Sequence, residues 1–417
     1  MSDSNPSALD LGALLAHAEA APPFALCDVI ATALSKVLDV RSVSFLIADF
    51  SGRTLVRLGQ WSSGHQEAVA TSERVPLRDT GQGRALSEQS LVVEPSDDGA
   101  RVFAPVTSRG DAIGVLELLL PTAPDAHADR QIAHAAHALA YLVIANRRHT
   151  DVFEWGQRSV LLSLSAEIQH RLLPGSYTCE GGQFTFAGWL EPAGEVGGDT
   201  FDFALEPELL HVSITDAMGH NVQAAMLATL LVAALRNGRR AGLDLLEQAR
   251  AANEHLAEHT SGGEFVTGQL VRVDLAASRA WIVNAGHPPP LRLRAGRVDE
   301  VGLAADPPFG ASADGAFRAQ ELELVRGDRF MFLTDGMLDR AAGNLDLDAA
   351  IRAGRELHPR EAVQQLADAV LECSDGDLRD DATALCFDWH GGAPYDRDAH
   401  DGADRGATSV EDYRPPA

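Results

Sequence analysis

Lysine is almost absent from this chain of 417 residues, in which Lys36 is the single example. A phosphate-binding loop of the G-K-[ST] type needs a lysine after glycine, and a protein kinase needs one on a strand. Lys36 instead lies in the helix-like stretch ATALSKVLD. The sequence therefore excludes both classes of nucleotide-phosphate enzyme, and the lack of a G-x-S-x-G motif excludes an elbow-type serine hydrolase.

Cysteine is also sparse, and long apolar runs are missing. The four cysteines, Cys27, Cys179, Cys373 and Cys386, are scattered without paired spacing, which predicts reduced structural thiols. No run approaches the roughly 18 to 20 apolar residues of a membrane span. The N-terminal stretch MSDSNPSALD lacks the basic and then apolar order of a signal peptide. We therefore expect a cytoplasmic protein with no membrane partner.

Basic residues are outnumbered, with 34 Lys and Arg against 60 Asp and Glu. A nucleic-acid-binding protein needs a cationic surface, so this balance argues against nucleic acid as a partner. The length predicts about two to three domains.

Acidic motifs are what the chain has instead. They read EVGGDTFD at 195–202, DAMGH at 216–220, TDG at 334–336 and RDDAT at 379–383. Three of them lie at the edge of a strand-like apolar run, since HVSITD ends at Asp216, RFMFLTD ends at Asp335 and DDATALCF begins at Asp380. Aspartates gathered at one point repel each other and raise their own pKa values, which predicts a site for divalent cations.

The donor atoms narrow the choice of metal. Asp199, Asp216, Asp335 and Asp380 offer only hard oxygen ligands, which suit Mg²⁺ or Mn²⁺. Two such ions a few ångströms apart form a recognised device for hydrolysing phosphate esters. The alternative for any single motif is turn chemistry, because Asp and Gly dominate turns for backbone reasons.

A rival metal motif is present at 255–259, where HLAEH matches the H-x-x-E-H pattern of a class of zinc peptidases. On a helix this spacing places both imidazoles on one face. The plainer interpretation is an ordinary amphipathic helix.

The first part of the chain is predicted to fold separately. Residues 24–38 and 83–89 read as helices, and 43–49, 54–58, 91–94, 101–106 and 112–119 read as strands. The last two strands form a hairpin around Arg109, Gly110 and Asp111. The stretch APVTSRGDAIGVLELLLP, followed by a long helix, resembles the closing strands of GAF sensor domains, although PAS domains follow similar logic. Nothing in it identifies a ligand.

Residues 129–174 contain no proline before Pro174 and predict a helical signalling linker. Its apolar residues follow heptad a and d positions, interrupted by polar ones. They are Ile132, Ala136, Leu139, Val143, Phe153, Val160 and Leu164. The alternative is ordinary helices, each packed on its own domain. Residues 391–417, rich in Gly, Asp, Ala and Pro, predict a disordered acidic tail.

Six segments in order carry a family resemblance. They are AEIQHRLLP at 166–174, EVGGDTFD, DAMGHNVQAAML at 216–227, NAGHPPPLRLRAG at 284–296, FLTDGMLD at 332–339 and RDDATALCF at 379–387. This series resembles the SpoIIE/RsbU-like branch of the metal-dependent (PPM, type 2C) serine/threonine phosphatases. Asn221 stands where that family usually has glycine, which we interpret as a mild change in the turn.

The resemblance implies an α+β architecture. Its parts are an N-terminal segment (1–20), a GAF-like antiparallel sheet with helices (21–128), the helical linker (129–174), an αββα sandwich phosphatase domain (175–390) and the tail. It also implies two Mn²⁺ or Mg²⁺ ions held by Asp199, Asp216, Asp335 and Asp380 together with the backbone carbonyl of Ala217. Asp381 remains an alternative to Asp380.

The function implied is a sensor-regulated phosphoprotein phosphatase, active as a homodimer, whose partner is a phosphorylated STAS-type antagonist of an anti-sigma factor. A pseudophosphatase that serves only as a binding scaffold is the alternative from another class. The retained aspartates argue against it.

Overall fold

The computed structural model describes residues 8–62, 65–67, 73–158, 162–191, 197–219, 221–260, 263–312, 315–338, 345–373, 380–393, 397, 399–404 and 406. These form two units. The N-terminal unit draws on 1–161 and 398–412, and the C-terminal unit draws on 162–397.

The N-terminal unit is built on one antiparallel sheet. Its strands are β1 (Ser42–Ala48), β2 (Thr54–Ser62), β3 (His65–Glu67), β4 (Arg74–Pro76), β5 (Val92–Ser96), β6 (Gly99–Ser108) and β7 (Asp111–Leu120). Their order is β3-β2-β1-β7-β6-β5, with β4 paired to β2. At the β6–β7 turn, Arg109 and Gly110 have φ of 50° and 78°, the left-handed conformation that a tight hairpin with this twist requires.

Helices cover both faces of that sheet. They are α1 (Leu11–Ala20), α2 (Leu26–Leu34), α3 (Gly81–Glu88), α4 (Ala126–Asn146) and α5 (Val152–Gly156). The main core joins α1, α2, α4 and α5 to one face, and a smaller core places α3 on the other. An antiparallel sheet with helices is what the sequence predicted, and the GAF identity stays a prediction. None of the helices that the structure describes is long and apolar enough to cross a membrane.

The heptad interpretation of the helical linker at 129–174 is wrong for its first helix, α4, and the alternative of ordinary helices packed on their own domains fits the described residues. The described residues form α4, α5 and a third helix, α6 (Leu164–Leu172). Leu139 and Val143 are fully buried in the core of the N-terminal unit, where Phe153 also lies. The apolar stripe therefore faces the helix's own sheet. Over two or three turns, a 3.5-residue repeat and a 3.6-residue repeat are nearly the same. The spacing of apolar residues therefore could not distinguish a coiled-coil helix from a helix that packs on its own sheet. Val160 lies outside the described residues.

The C-terminal unit contains two antiparallel sheets. The first has the order β10-β11-β12-β13-β16 and the second β15-β14-β17-β18-β9-β8. The strands are β8 (Thr178–Glu180), β9 (Phe184–Glu191), β10 (Asp199–Leu205), β11 (Leu209–Ala217), β12 (Val266–Asp274), β13 (Arg279–Ala285), β14 (Leu291–Arg294), β15 (Arg297–Glu300), β16 (Gln320–Leu322), β17 (Asp328–Leu333) and β18 (Ala382–Trp389).

The two sheets share one apolar core, to which Phe201 and Ile282 contribute from the first sheet and Phe330 and Leu385 from the second. Helices α7 (Asn221–Arg240) and α8 (Leu245–His259) pack on the outer face of the first sheet. Helices α9 (Leu347–Ala353) and α10 (Pro359–Cys373) cover the second. The layers are thus helix, sheet, sheet, helix, which confirms the predicted αββα sandwich. Helix α6 belongs to this unit and packs against α7.

The prediction of a disordered tail is wrong for the residues that the structure describes after 390. Arg397 donates from Nε to the buried carboxylate of Glu180 at 3.0 Å. In the N-terminal unit, β19 (Ala399–His400) pairs with β20 (Ala403–Asp404), and the Gly402 carbonyl accepts from Gly110 N–H at 2.9 Å. A Cβ at Gly402 would lie 2.0 Å from the Thr107 carbonyl oxygen, so only glycine fits this contact. Composition alone did not reveal such specific anchors.

Candidate metal centre

Asp199 and Asp216 lie directly opposite each other in neighbouring strands. Asp199 is the first residue of β10, and its register partner in β11 is Asp216. Opposed residues of an antiparallel pair project to the same face, so the two carboxylates are brought together. Gly198 permits this close start of β10, because a Cβ there would lie 2.6 Å from the Ala217 carbonyl oxygen.

The second sheet contributes the other predicted aspartates from two adjacent strand edges. Asp335 follows β17 at the start of helical residues 335–338, and Asp380 and Asp381 precede β18. Strands β17 and β18 are neighbours, and Gly336 lies against the Asp381 backbone so closely that a Cβ would be 1.9 Å from its carbonyl oxygen. The T-D-G glycine is therefore a packing requirement that sets Asp335 beside the R-D-D-A-T loop.

Two threonines of the second sheet fix the Asp199 carboxylate. Its Oδ2 accepts from Thr334 Oγ1 at 2.8 Å and from Thr383 Oγ1 at 2.6 Å. Thr334 Oγ1 also accepts from the Thr383 N–H at 3.0 Å. The two bonds to Asp199 cross from one sheet to the other, so the orientation of Asp199 depends on the contact between the two sheets.

Asp381 acts as an acceptor for several N–H donors. Its Oδ2 accepts from Gln169 Nε2 at 2.6 Å, from Gly198 N at 3.0 Å and from Asp199 N at 3.4 Å. It is 2% exposed, whereas Asp380 is exposed and accepts the Asp381 N–H at 2.9 Å. Asp381 thus holds α6, β10 and β18 together, and Asp380 lies on the solvent side.

The cluster is electrostatically strained. Burial, with added repulsion from Asp335, Asp380 and Asp381, raises the pKa of Asp216 to about 7. Burial and the charges of Asp216 and Asp381 also raise the pKa of Asp199 well above its usual range, while the threonine hydroxyls oppose this rise. Such repulsion is relieved when cations bind between the carboxylates.

The residues present fit divalent cations in chemistry. All candidate donors are carboxylate or carbonyl oxygens, and the aspartates act on each other's pKa values from both sheets. Across the described stretches of the chain, no three Asp, Glu, His or Cys side chains already converge into a finished ion cage. The fit therefore rests on the oxygen donors and on the repulsion between the carboxylates, which adds to the burial that raises the pKa values of Asp199 and Asp216.

Comparison with known proteins identifies this part of the chain. The family model described as Stage II sporulation protein E (SpoIIE) matches residues 206–390, a range that includes Asp216, Asp335 and Asp380. The C-terminal unit carries a SpoIIE-family domain. The resemblance to the SpoIIE/RsbU branch is thereby confirmed.

Curated relatives agree with this assignment. The phosphoserine phosphatase RsbP of Bacillus subtilis (strain 168) is 24% identical over 215 residues, which are 50% of this chain and 52% of RsbP. The phosphoserine phosphatase RsbU of the same organism is 21% identical over 234 residues, which are 54% of this chain and 68% of RsbU. The chain therefore spans only about half of the length of RsbP.

A solved structure of the RsbU and RsbW domains of a Mycobacterium tuberculosis protein is 25% identical, with a TM-score of 0.43, and the match covers 51% of this chain and 61% of that one. Because this TM-score is low, the sandwich assigned to the SpoIIE-family domain rests on its own strands.

His287, in the N-A-G-H-P segment of the SpoIIE-family domain, is 3% exposed. Burial lowers its pKa to about 3, against a weaker opposing effect of the Leu333 carbonyl group. The ring is therefore neutral at physiological pH and not poised as a proton donor. His220 lies outside the described residues.

The H-x-x-E-H motif lies on the solvent face of α8. His255 and Glu258 are 57% and 69% exposed, and His259 Nδ1 bonds the backbone carbonyl of His255 at 2.8 Å. Exposed side chains of this kind form a solvated helix face, as the plainer interpretation expected.

A cavity of about 360 Å³ lies at the other ends of β17 and β18 from the aspartates. Several of its charged lining groups pair with each other or with a neighbour, as Arg329 does with Asp388 and Asp328 does with Arg294. This cavity has no part in the aspartate cluster.

Sequence reasoning missed three contributors to the site, namely Gln169, Thr334 and Thr383. Each lies inside a quoted motif, so the signal was present, but the bonds from these side chains to the carboxylates of Asp199 and Asp381 join residues more than 130 positions apart along the chain. Asp202, in contrast, pairs with Arg236 and Arg239 of α7 and is structural.

Proposed function

We propose that the protein is a metal-dependent phosphoprotein phosphatase. The observation that carries the proposal is the convergence of four aspartates from separate motifs, Asp199, Asp216, Asp335 and Asp380, three of which lie in the SpoIIE-family match. The charge of Asp216 adds to the burial that raises the pKa of Asp199, and the charges of Asp335 and Asp380 add to the burial that raises the pKa of Asp216. Asp199, Asp216, Asp335 and Asp380, with the backbone carbonyl of Ala217, would hold two Mn²⁺ or Mg²⁺ ions. When bound, such ions stabilise charge on phosphoryl oxygens and lower the pKa of an attacking water.

The chain's own residues orient this site. Thr334 and Thr383 hold the Asp199 carboxylate in one orientation. Asp381 keeps the β10 and β18 edges together, so we assign it a positioning role. Asp380 lies on the solvent side, and we assign it as the metal ligand. No covalent nucleophile is needed, because the attacking group is water. Neutral, buried His287 is left out of proton transfer.

The substrate proposed is a phosphorylated serine or threonine of a STAS-type antagonist of an anti-sigma factor, acting in the cytoplasm. Support comes from the similarity to RsbP and RsbU, both named as phosphoserine phosphatases. We further propose that the chain works as a homodimer and that the N-terminal unit is a GAF-like sensor for a ligand or partner yet to be identified.

The decisive experiment measures phosphate release from a panel of phosphorylated STAS proteins with the full chain. We expect release with Mn²⁺ or Mg²⁺, loss of release with excess EDTA, and no replacement by Zn²⁺, because the donors are all hard oxygens. Asp335→Asn should lower turnover by at least about 10²-fold through loss of a charged ligand. Asp348→Asn, at an exposed position of α9, is the control and should retain turnover.

Undiminished release in EDTA would contradict the metal mechanism. A wild-type chain that binds the phosphoprotein but neither binds Mn²⁺ nor releases phosphate would instead support the scaffold alternative.

A further inference from the structure

The backbone around His287 is held from both sides by buried side chains. The His287 N–H donates to Asn284 Oδ1 at 2.9 Å, and Gln269 Nε2 donates to the Pro288 carbonyl at 2.7 Å. Asn284 and Gln269 are 2% and 0% exposed. Buried side chains committed to backbone groups in this way fix the chain at one position, so the imidazole ring is placed by the fold.

The ring touches a residue that lies beside the aspartates. His287 Nδ1 is 3.0 Å from Thr267 Oγ1, and Thr267 is the register partner of Asp216 in β12. Since Asp199 is the partner of Asp216 on its other side, Asp199, Asp216 and Thr267 form one cross-strand row on the same face of the first sheet. Thr267 is the last residue of that row, and His287 contacts Thr267.

The other side of the ring faces the second sheet. The Leu333 carbonyl group, at the end of β17 and two residues before Asp335, is close enough to favour the protonated ring. Nε2 has no hydrogen bond of regular geometry among the described residues, so this contact is the looser of the two. A neutral ring with its proton on Nε2 would direct that proton towards Leu333 and accept the Thr267 hydroxyl proton at Nδ1.

We infer that His287 is a positioning residue that fixes the Thr267 hydroxyl beside Asp216. The inference rests on the proposed metal function, because its consequence is the spacing of aspartates that bind ions. Residues that orient metal ligands from behind typically change metal affinity about 10- to 100-fold when removed.

The test uses two substitutions at Thr267. A role in hydrogen bonding and a role in packing predict opposite orders of Mn²⁺ affinity for them. Thr267→Val keeps the volume and removes the hydroxyl, whereas Thr267→Ser keeps the hydroxyl and removes a methyl group. We expect calorimetry on the full chain to show Mn²⁺ bound about tenfold more weakly by Thr267→Val, and bound nearly as in the wild type by Thr267→Ser. A role in packing alone would reverse this order, and that result would overturn the inference.

His287→Phe supplies the second arm, since it keeps an aromatic ring and removes both nitrogens. In that background, Thr267→Val should add no further loss of Mn²⁺ affinity, because the two residues act through one contact. Additive losses would overturn the inference, and the Thr267 pair still decides it if His287→Phe fails to fold. If the wild-type chain bound no Mn²⁺, the proposed metal function would be wrong. If the wild type and both Thr267 variants bound Mn²⁺ equally, only the inference about His287 and Thr267 would be wrong.

Discussion

The side-chain amide of Gln169 lies 2.6 Å from the carboxylate of Asp381, and the same Nε2 donates to the Asp199 carbonyl at 2.8 Å. One nitrogen of α6 therefore connects the motif that begins β10 with the motif that precedes β18. Gln169 is fully buried, so both acceptors would lose this donor without gaining water if the amide were removed. Helix α6 is thus part of the metal centre's support.

Gln169→Met should weaken Mn²⁺ binding about tenfold or more while retaining the helix, because methionine matches glutamine in length and helix propensity. Gln364→Met in α10 is the matched control, since Gln364 donates to the side chain of Asp368 in its own helix. Calorimetric Mn²⁺ titration of both variants checks this. Equal affinities for both would mean that α6 packs beside the site without supporting it.

Gly336→Ala should separate the T-D-G turn from the R-D-D-A-T loop. The new Cβ would lie 1.9 Å from the Asp381 carbonyl oxygen, which is backbone and has little freedom to move. A displacement of about 1 Å at a catalytic site can cost about 10²-fold in rate, and we expect a loss of at least that size in phosphate release. Gly302→Ala is the control, because nothing lies within 4 Å of a Cβ there. Equal rates for both variants would show that the loop adapts.

The sandwich could be predicted through the family resemblance, and the strand edges beside Asp216, Asp335 and Asp380 could be predicted from the apolar runs that end or begin there. The supporting bonds were beyond such reasoning. Asp199 is bonded to Thr334 and Thr383, which lie 135 and 184 positions away. Only the order and register of strands in two sheets bring these residues together, and a linear pattern does not specify that order.

The packing partner of the first linker helix, α4, could not be predicted from the sequence either. Its apolar spacing is equally suited to a coiled coil and to a helix packed on a sheet, so periodicity did not identify the partner of α4. The buried pattern of α4 and the core that it joins decide the matter. The break between α4 and α5 follows Asn146, where the chain leaves the helix before Asp151 begins the next.

Leu139→Ala should therefore destabilise the N-terminal unit rather than uncouple a dimer. Leu139 is 0% exposed, and large-to-small changes at such positions cost about 2 to 5 kcal/mol in the free energy of unfolding. Tyr141→Ala, two residues on and 52% exposed, is the control and should cost much less. Urea unfolding measures both. If Leu139→Ala changed the solution mass and left the unfolding midpoint unchanged, the coiled-coil interpretation would return.

Acid should destabilise the C-terminal unit through a buried pair away from the metal centre. His358 Nδ1 accepts the Arg360 N–H at 3.1 Å, so its proton is on Nε2, which donates to Glu180 at 3.2 Å. Burial lowers the pKa of His358, and Arg360 adds to the effect. Burial alone would raise the pKa of Glu180, but the bonds from His358 and Arg397 outweigh it, so that the pKa is lowered. The contact is therefore a neutral imidazole donating to a carboxylate, and not an ion pair.

The lowered pKa values of His358 and Glu180 both make the folded protein less stable as the pH falls. Below about pH 6.5 the unfolded chain protonates its free histidine while folded His358 resists, so stability falls as pH drops from that value. Below about pH 4.5 the unfolded chain also protonates Glu180 before the folded protein does, which extends the loss of stability.

His358→Gln keeps an amide donor near the Nε2 position but does not titrate. We expect its melting temperature to fall less than that of the wild type between pH 7 and pH 5. Asp216, whose raised pKa acts in the opposite direction in metal-free protein, is present in both chains and cancels in this difference. Parallel melting curves for the two proteins would mean that His358 is protonated in the folded state.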